Sequence, residues 1–292
     1  MLELKKVSKR ILAGVLSTAL FLSAGQVFAG GEQTAAKAAT QQRAARDASY
    51  DDGSDGLTEM EALQTVSKDE SNVVRIWKDS SDRYYYSVYR KDAVMVRCSP
   101  LGLVTTDNDL SEGLQLDEAA TAKTEGKEEY DWVQGSSSHV SKEYTQTAFT
   151  LTKGDSKITM IFRVFNDGMA YRYEVDGDIN SSDEVTEVTS ENSSFVLPDD
   201  GVIWTMGTSA TYEASTYTER TVSSLSSKSE SYSPPILGEI PTETGTNWLL
   251  LAEANVYNEE EPYCASVFQT KSKSTALQVK FGQYLKQEED DS

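Results

Sequence analysis

The stretch ITMIFRVFNDGMAYRYEV, Ile158 to Val175, decides the fold. Asn166-Asp167-Gly168 supplies turn residues between two strand-forming runs. After the turn, Met169, Tyr171, Tyr173 and Val175 alternate with Ala170, Arg172 and Glu174. A period of two belongs to a sheet with one buried and one more polar face. The spacing therefore predicts a tight antiparallel hairpin.

The same grammar extends outward. Tyr84–Tyr89 and Ala93–Arg97 flank Arg90-Lys91-Asp92, and Tyr144–Leu151 and Lys157–Phe165 flank Gly154-Asp155, each reading as a hairpin. Further strands are expected at Phe195–Leu197, Val202–Met206, Trp248–Tyr257, Tyr263–Phe268 and Thr275–Phe281. Helical periodicity is almost absent; Leu57–Val66 alone is expected to form a short helix. Ser223–Ser233 reads as a serine-rich polar loop. Many short strands separated by turn residues predict an all-β fold, a large antiparallel sandwich over residues 71–285. No internal repeat is visible.

The ends differ in composition. Lys5, Lys6, Lys9 and Arg10 precede the apolar run Ile11–Leu22, and Val27-Phe28-Ala29 offers small residues for cleavage. Residues 1–29 are thus expected to be a signal peptide, which implies a periplasmic or secreted, extracytoplasmic protein. The apolar run is short for a membrane span and is broken by Gly14 and Ser17. Residues 30–70, rich in Ala, Gln, Asp, Ser and Gly, read as a disordered linker, and 286–292 as an acidic tail.

The chain has 27 basic and 47 acidic residues. Removing residues 1–29 leaves 23 and 46, a balance of −23. Such a charge repels nucleic acid and anionic lipid, so neither is an expected partner, and no membrane role beyond export is implied. Cys98 and Cys264 are the only cysteines. Export would permit a disulfide, and two separate thiols is the alternative.

Few motifs carry chemistry. Asp176–Glu187 places Asp176, Asp178, Asn180 and Glu187 at calcium-loop spacing, but Ser181 stands where the sharp turn needs glycine, which favours an exposed connection. His139 is the single histidine, in a serine-rich segment without a nucleophile elbow. Trp77, Trp132, Trp204 and Trp248 could stack on sugars or fill a core. Glu253 stands out. On an apolar strand it shares a face with Leu249 and Leu251, so its carboxylate must be paired, metal-bound or at the strand's emerging end. An ion pair with Arg163 or Arg172 is the simplest partner.

The chain resembles the N-terminal domain of glycoside hydrolase family 97, exported bacterial α-glucosidases and α-galactosidases. The resemblance is carried in order by DRYYYSVYRKDAVMVRCSPLGL, FRVFNDGMAYRY, SENSSFVLPDDGVIW (Ser190–Trp204) and LLLAEANVY. It covers roughly residues 70–270 and weakens after Cys264. It implies a β-supersandwich similar to galactose mutarotase-like domains, packed in the family on a catalytic (β/α)₈ barrel. Glu253 matches the family's "EA" glutamate, which implies a Ca²⁺ ligand at the junction. No catalytic residue can be carried over. The resemblance implies a carbohydrate-associated, non-catalytic domain, truncated or split from a separate (β/α)₈ chain, with no hydrolysis alone. The alternative is a stand-alone carbohydrate-binding surface protein. Mutarotase-like epimerisation would need a positioned acid and base that His139 alone does not supply.

Overall fold

In the computed structural model, residues 17–23, 51–91, 93–131, 133, 138–176, 188–208, 216–243, 245–254 and 266–281 are described. They are almost entirely strand. In chain order these are β1 (Ser17–Ser23), β2 (Thr58–Glu59), β3 (Thr65–Val66), β4 (Asn72–Lys78), β5 (Tyr84–Arg90), β6 (Ala93–Pro100) and β7 (Leu103–Thr105). Next come β8 (Asp109–Leu110), β9 (Gln115–Asp131), β10 (His139–Lys153), β11 (Ser156–Phe165), β12 (Gly168–Asp176), β13 (Val188–Glu191) and β14 (Ser194–Val196). The last are β15 (Val202–Gly207), β16 (Thr218–Thr221), β17 (Ser231–Thr242), β18 (Gly245–Ala254), β19 (Ser266–Lys271) and β20 (Ser274–Phe281).

The deciding hairpin forms as its alternation requires. β11 and β12 pair antiparallel from Lys157↔Asp176 to Phe165↔Gly168. Met169, Tyr171, Tyr173 and Val175 are buried, while Ala170, Arg172 and Glu174 are half-exposed. The turn before β11 needs Gly154, whose φ of +59° lies in the left-handed region.

Two runs of ladders make the sandwich. One runs β9–β10–β11–β12–β1–β18–β17–β15–β16. The other joins β2 and β3 to β4, then runs β5–β6–β14–β20–β19. β17 belongs to both: Ser231 and Tyr232 pair with β19, and Ile236 onward pairs with β18. The change of partner falls at Pro234 and Pro235, which lack N–H donors for a ladder. A small third sheet holds β13, β7 and β8.

The two layers face each other through rings. Tyr84 and Tyr86 of β5 meet Phe149 of β10, Phe162 of β11 and Tyr171 of β12 at centroid separations of 5.6–6.3 Å. Phe195 and Phe268 continue the cluster, edge to face at 5.7 Å. Aromatic side chains of this size dominate the area removed from water, and the tilted geometries suit their quadrupoles. The all-β antiparallel sandwich expected from the pattern is therefore the architecture.

Several expectations change. Leu57–Val66 is not a helix: only Glu61–Leu63 makes a 3-10 turn, flanked by β2 and β3 on β4. Burial of Leu63 and Thr65 in the sandwich outweighs the local helical pattern. The tether expected over 30–70 meets ordered chain from Asp51 onward; Cys98 N–H donates to Asp52 O at 2.7 Å, and Arg97 pairs with the Asp51 carboxylate at 2.5 Å. The serine-rich loop at 223–233 is a 3-10 segment, Val222–Ser227, followed by the start of β17. It is held because Val222 and Leu225 are buried.

Part of the expected leader is built into the sheet. β1 pairs with β18 from Ser17↔Ala254 to Ser23↔Trp248, and with β12 through Leu20↔Met169 and Phe21↔Gly168. Residues 1–16 and 24–50, most of the calcium-like loop 177–187, Trp132, Cys264 and the acidic tail lie outside the described residues. No helix among the described residues is long and apolar enough to cross a membrane.

Candidate functional site

Glu253 sits one residue before the end of β18, on the face that buries Leu249 and Leu251. Its position is the emerging end of an apolar strand. Neither expected arginine reaches it: Arg163 pairs with Glu128, and Arg172 pairs with Glu174 at 2.5 Å. Instead Glu253 Oε1 accepts the backbone N–H of Ser266, the first residue of β19, at 2.8 Å. The ion-pair expectation is corrected on that ground. Burial pushes the Glu253 carboxyl above its ordinary range, and the Ser266 hydrogen bonds pull it back.

A second carboxylate lies close enough to feel this charge. Glu191, at the end of β13, is 1% exposed, and Tyr171 OH donates to its Oε1 at 3.4 Å. Burial pushes its carboxyl up to about 8, hydrogen bonds from Ser193 and Tyr171 oppose the shift, and the Glu253 charge adds to it. At neutral pH Glu191 is therefore mainly the neutral acid. A neutral acid is the cheaper form at a site where an isolated charge would lose its hydration.

Around these acids the four family-like segments converge. Gly102, in Ser99–Leu103, donates its N–H to Tyr173 OH at 3.0 Å. Tyr173 OH in turn bonds Ser193 Oγ, and Asn192 N–H donates to Gly102 O at 2.8 Å. Ser99 Oγ accepts Val196 N–H at 2.9 Å. Gly102 is required by space and conformation: its φ is +147°, and an added Cβ would lie 2.5 Å from Ser111 Cβ. Motifs far apart in the chain thus meet at one polar cluster of the sandwich.

Glu191, Tyr171, Tyr173 and Ser193 were not singled out from sequence. Nothing in local alternation marks a buried glutamate. The available signal was the pair of inward tyrosines, whose hydroxyls must find partners when buried.

As a calcium site the cluster is partial. Calcium takes six to eight oxygens, and no group of three or more His, Cys, Asp or Glu positioned for a metal occurs among the described residues. Glu253 brings one carboxylate whose Oε1 already accepts the Ser266 N–H, so the described residues do not form a calcium cage by themselves.

The remaining sequence candidates separate. His139 opens β10, with Nδ1 2.8 Å from Asp131 Oδ1 on an exposed hairpin remote in sequence from the cluster. Cys98 is free, and burial pushes its thiol up to about 12, so it is a poor nucleophile. Trp77 is core, donating to Ser87 Oγ at 2.8 Å. Trp204 and Trp248 stack with centroids 5.5 Å apart, and Trp248 remains 36% exposed beside Leu237 at 37%.

One family model matches most of the chain. Residues 66–283 match the family described as Glycosyl-hydrolase 97 N-terminal. A probable retaining alpha-galactosidase from Streptomyces bingchenggensis (strain BCW-1) is 32% identical over 118 residues, which is 40% of this chain and 17% of that protein. A glycoside hydrolase family 97 enzyme from Pseudoalteromonas sp. strain K8, solved with acarbose, superposes with a TM-score of 0.61 at 16% identity, over 75% of this chain and 32% of the enzyme. A beta-arabinopyranosidase superposes with a TM-score of 0.64 at 20% identity, over 74% of this chain and 35% of that one. The structural likeness establishes the shared fold, and this chain spans only about a third of those enzymes.

Proposed function

Because this chain belongs to the Glycosyl-hydrolase 97 N-terminal family, we propose that it is the non-catalytic, carbohydrate-associated sandwich of an exported α-glycosidase assembly. In this reading it supplies Glu253 to a calcium ion at the junction with a (β/α)₈ catalytic barrel, held on a separate polypeptide or in a further part of the enzyme. The observation that carries it is the half-buried Glu253 carboxylate, free of the expected arginines at the end of β18 and beside a second acid. Calcium, when bound, would neutralise the Glu253 carboxylate and tie the two domains; hydrolysis itself belongs to the barrel's carboxylates.

The test is calorimetric titration of Ca²⁺ into the full chain and its Glu253→Gln variant. An incomplete oxygen shell predicts weak binding, with Kd on the order of 10⁻³ M, and its loss in the variant. Equal binding by both proteins would remove Glu253 from the metal site.

A second reading rests on Trp204 and Trp248. Their stack, with Trp248 exposed and Trp204 half-buried, offers a flat apolar platform of the kind pyranose rings pack on, which suits a stand-alone carbohydrate-binding protein. It requires measurable affinity of the chain alone for α-linked glucans or galactosides. Flat titrations against both sugar classes would dismiss it.

A further inference from the structure

Among the described residues β9 pairs with β10 and with no other strand, so it ends its ladder and presents a second edge without a partner strand. The start of β9 is not a usable edge. A register shift between Ala148 and Thr150 of β10 breaks the ladder there, and Asp117 Oδ1 already accepts the N–H groups of Ala119 and Ala120 at 3.1 and 3.3 Å. Over residues 122–131 the pairing is regular, from Ala148↔Ala122 to His139↔Asp131. Gly126 and Glu128 are half-buried there and the other residues are exposed. Such an edge offers backbone donors and acceptors to another strand unless its side chains prevent it.

The side chains select one partner. Lys123, Glu125, Lys127 and Glu129 alternate in sign along one face of β9. On that face Lys123 Nζ donates to Gln64 O at 2.9 Å, and Glu125 pairs with Lys68. The stripe is neutral, although the whole chain carries −20. A two-fold axis through Gly126, normal to the sheet, would set a second β9 antiparallel with the same face up. Lys123 then lies opposite Glu129 and Glu125 opposite Lys127, each twice. On the reverse face Glu128 meets Thr124, and Tyr130 meets Ala122. Moving the axis to Glu125 would oppose Lys123 to Lys127 and Glu125 to itself. Moving it to Lys127 would oppose Glu125 to Glu129 and Lys127 to itself. Like charges directly opposite destabilise a strand pair and opposite charges support it. The alternation thus forbids the neighbouring registers and permits one.

Little is given up in exchange. Lys127 Nζ lies 2.6 Å from Glu129 Oε1, and this pair and Lys68–Glu125 are surface contacts of small worth in water. We propose that residues 122–130 of β9 form a dimerisation edge, joining two copies of this chain antiparallel about Gly126 into one continuous sheet. Backbone hydrogen bonds supply the affinity and the charges fix the register. The contact is isologous, so it closes at two copies. The inference is independent of the calcium reading.

The experiment is sedimentation velocity of the full chain at concentrations up to about 10⁻⁴ M, a range suited to a small interface. Lys123→Glu with Lys127→Glu makes the stripe wholly acidic; Glu125→Lys with Glu129→Lys makes it wholly basic. The parent should sediment as a dimer at the top of the range. Each variant alone should be monomeric, its self-association weakened by about 100-fold as like-charge pairs replace opposite ones. An equimolar mixture of the two variants should recover the dimer, because every opposed pair is again of opposite sign. A parent that stays monomeric would overturn the proposal. So would a dimer that survives in both variants, or a mixture that stays monomeric.

Discussion

Ser266 gives its backbone N–H to Glu253 Oε1 at 2.8 Å, tying the start of β19 to the end of β18 where the sandwich gathers its acids. The bond orients the half-buried carboxylate. Burial makes negative charge costly for Glu253, and burial together with the Glu253 charge does so for Glu191.

Stability should therefore fall as pH rises from about 4.5 to about 8. Glu191 titrates near 8 in the folded chain against an ordinary value of 4.5, so it holds a proton that the unfolded chain releases across that window. Its stabilising contribution is complete below 4.5 and is lost through 8, at up to about 1.4 kcal/mol per pH unit. Asp69, Asp79 and Glu230 shift downward and act at lower pH. Thermal melts of the parent and Glu191→Gln between pH 5 and 8.5 check this: the parent Tm should fall with pH and the variant's slope should flatten. A parallel slope in both would refute the assignment.

Gly102→Ala should be severe and Gly113→Ala mild. At Gly102 the new Cβ would meet Ser111 Cβ at 2.5 Å and Cα at 2.7 Å, and the shift would also disturb the bond to Tyr173. A cost of about 3 kcal/mol is expected from overpacking and backbone strain together. At Gly113 the nearest atom is Lys153 Cε at 3.8 Å, leaving only the left-handed backbone penalty of roughly 1 kcal/mol. Urea denaturation of both variants gives the comparison.

Trp248→Ala should cost little stability, about 1 kcal/mol for the lost stacking on Trp204. A loss of more than about 3 kcal/mol would match a core aromatic and would end its standing as a recognition surface. Urea melts followed by circular dichroism separate the two.

The fold was largely legible because β11–β12 states its burial in a period of two, and the turns at Gly154 and Gly168 mark the hairpins. β17 escaped notice because Pro234 and Pro235 look like breakers, yet they stand where the strand changes partners. β9, mostly exposed along Gln115–Asp131, carries charges instead of an apolar stripe and so gave no pattern. Glu253 was legible as a carboxylate in an apolar strand. Its actual partner, the Ser266 N–H, was not, and the expected Arg163 and Arg172 pair with nearer acids in their own sheet. Glu191 was hidden because its hydrogen-bond partners, Tyr171 and Ser193, include one on a different strand that local sequence does not bring to it.

The central claim, a family sandwich that supports but does not perform glycoside cleavage, is tested most directly by incubating the purified full chain with aryl α-glucoside and aryl α-galactoside in millimolar calcium. The expected result is release of the aryl group at the rate of the buffer alone. Steady turnover by the chain unaided, scaling with its concentration and surviving repurification, would contradict it.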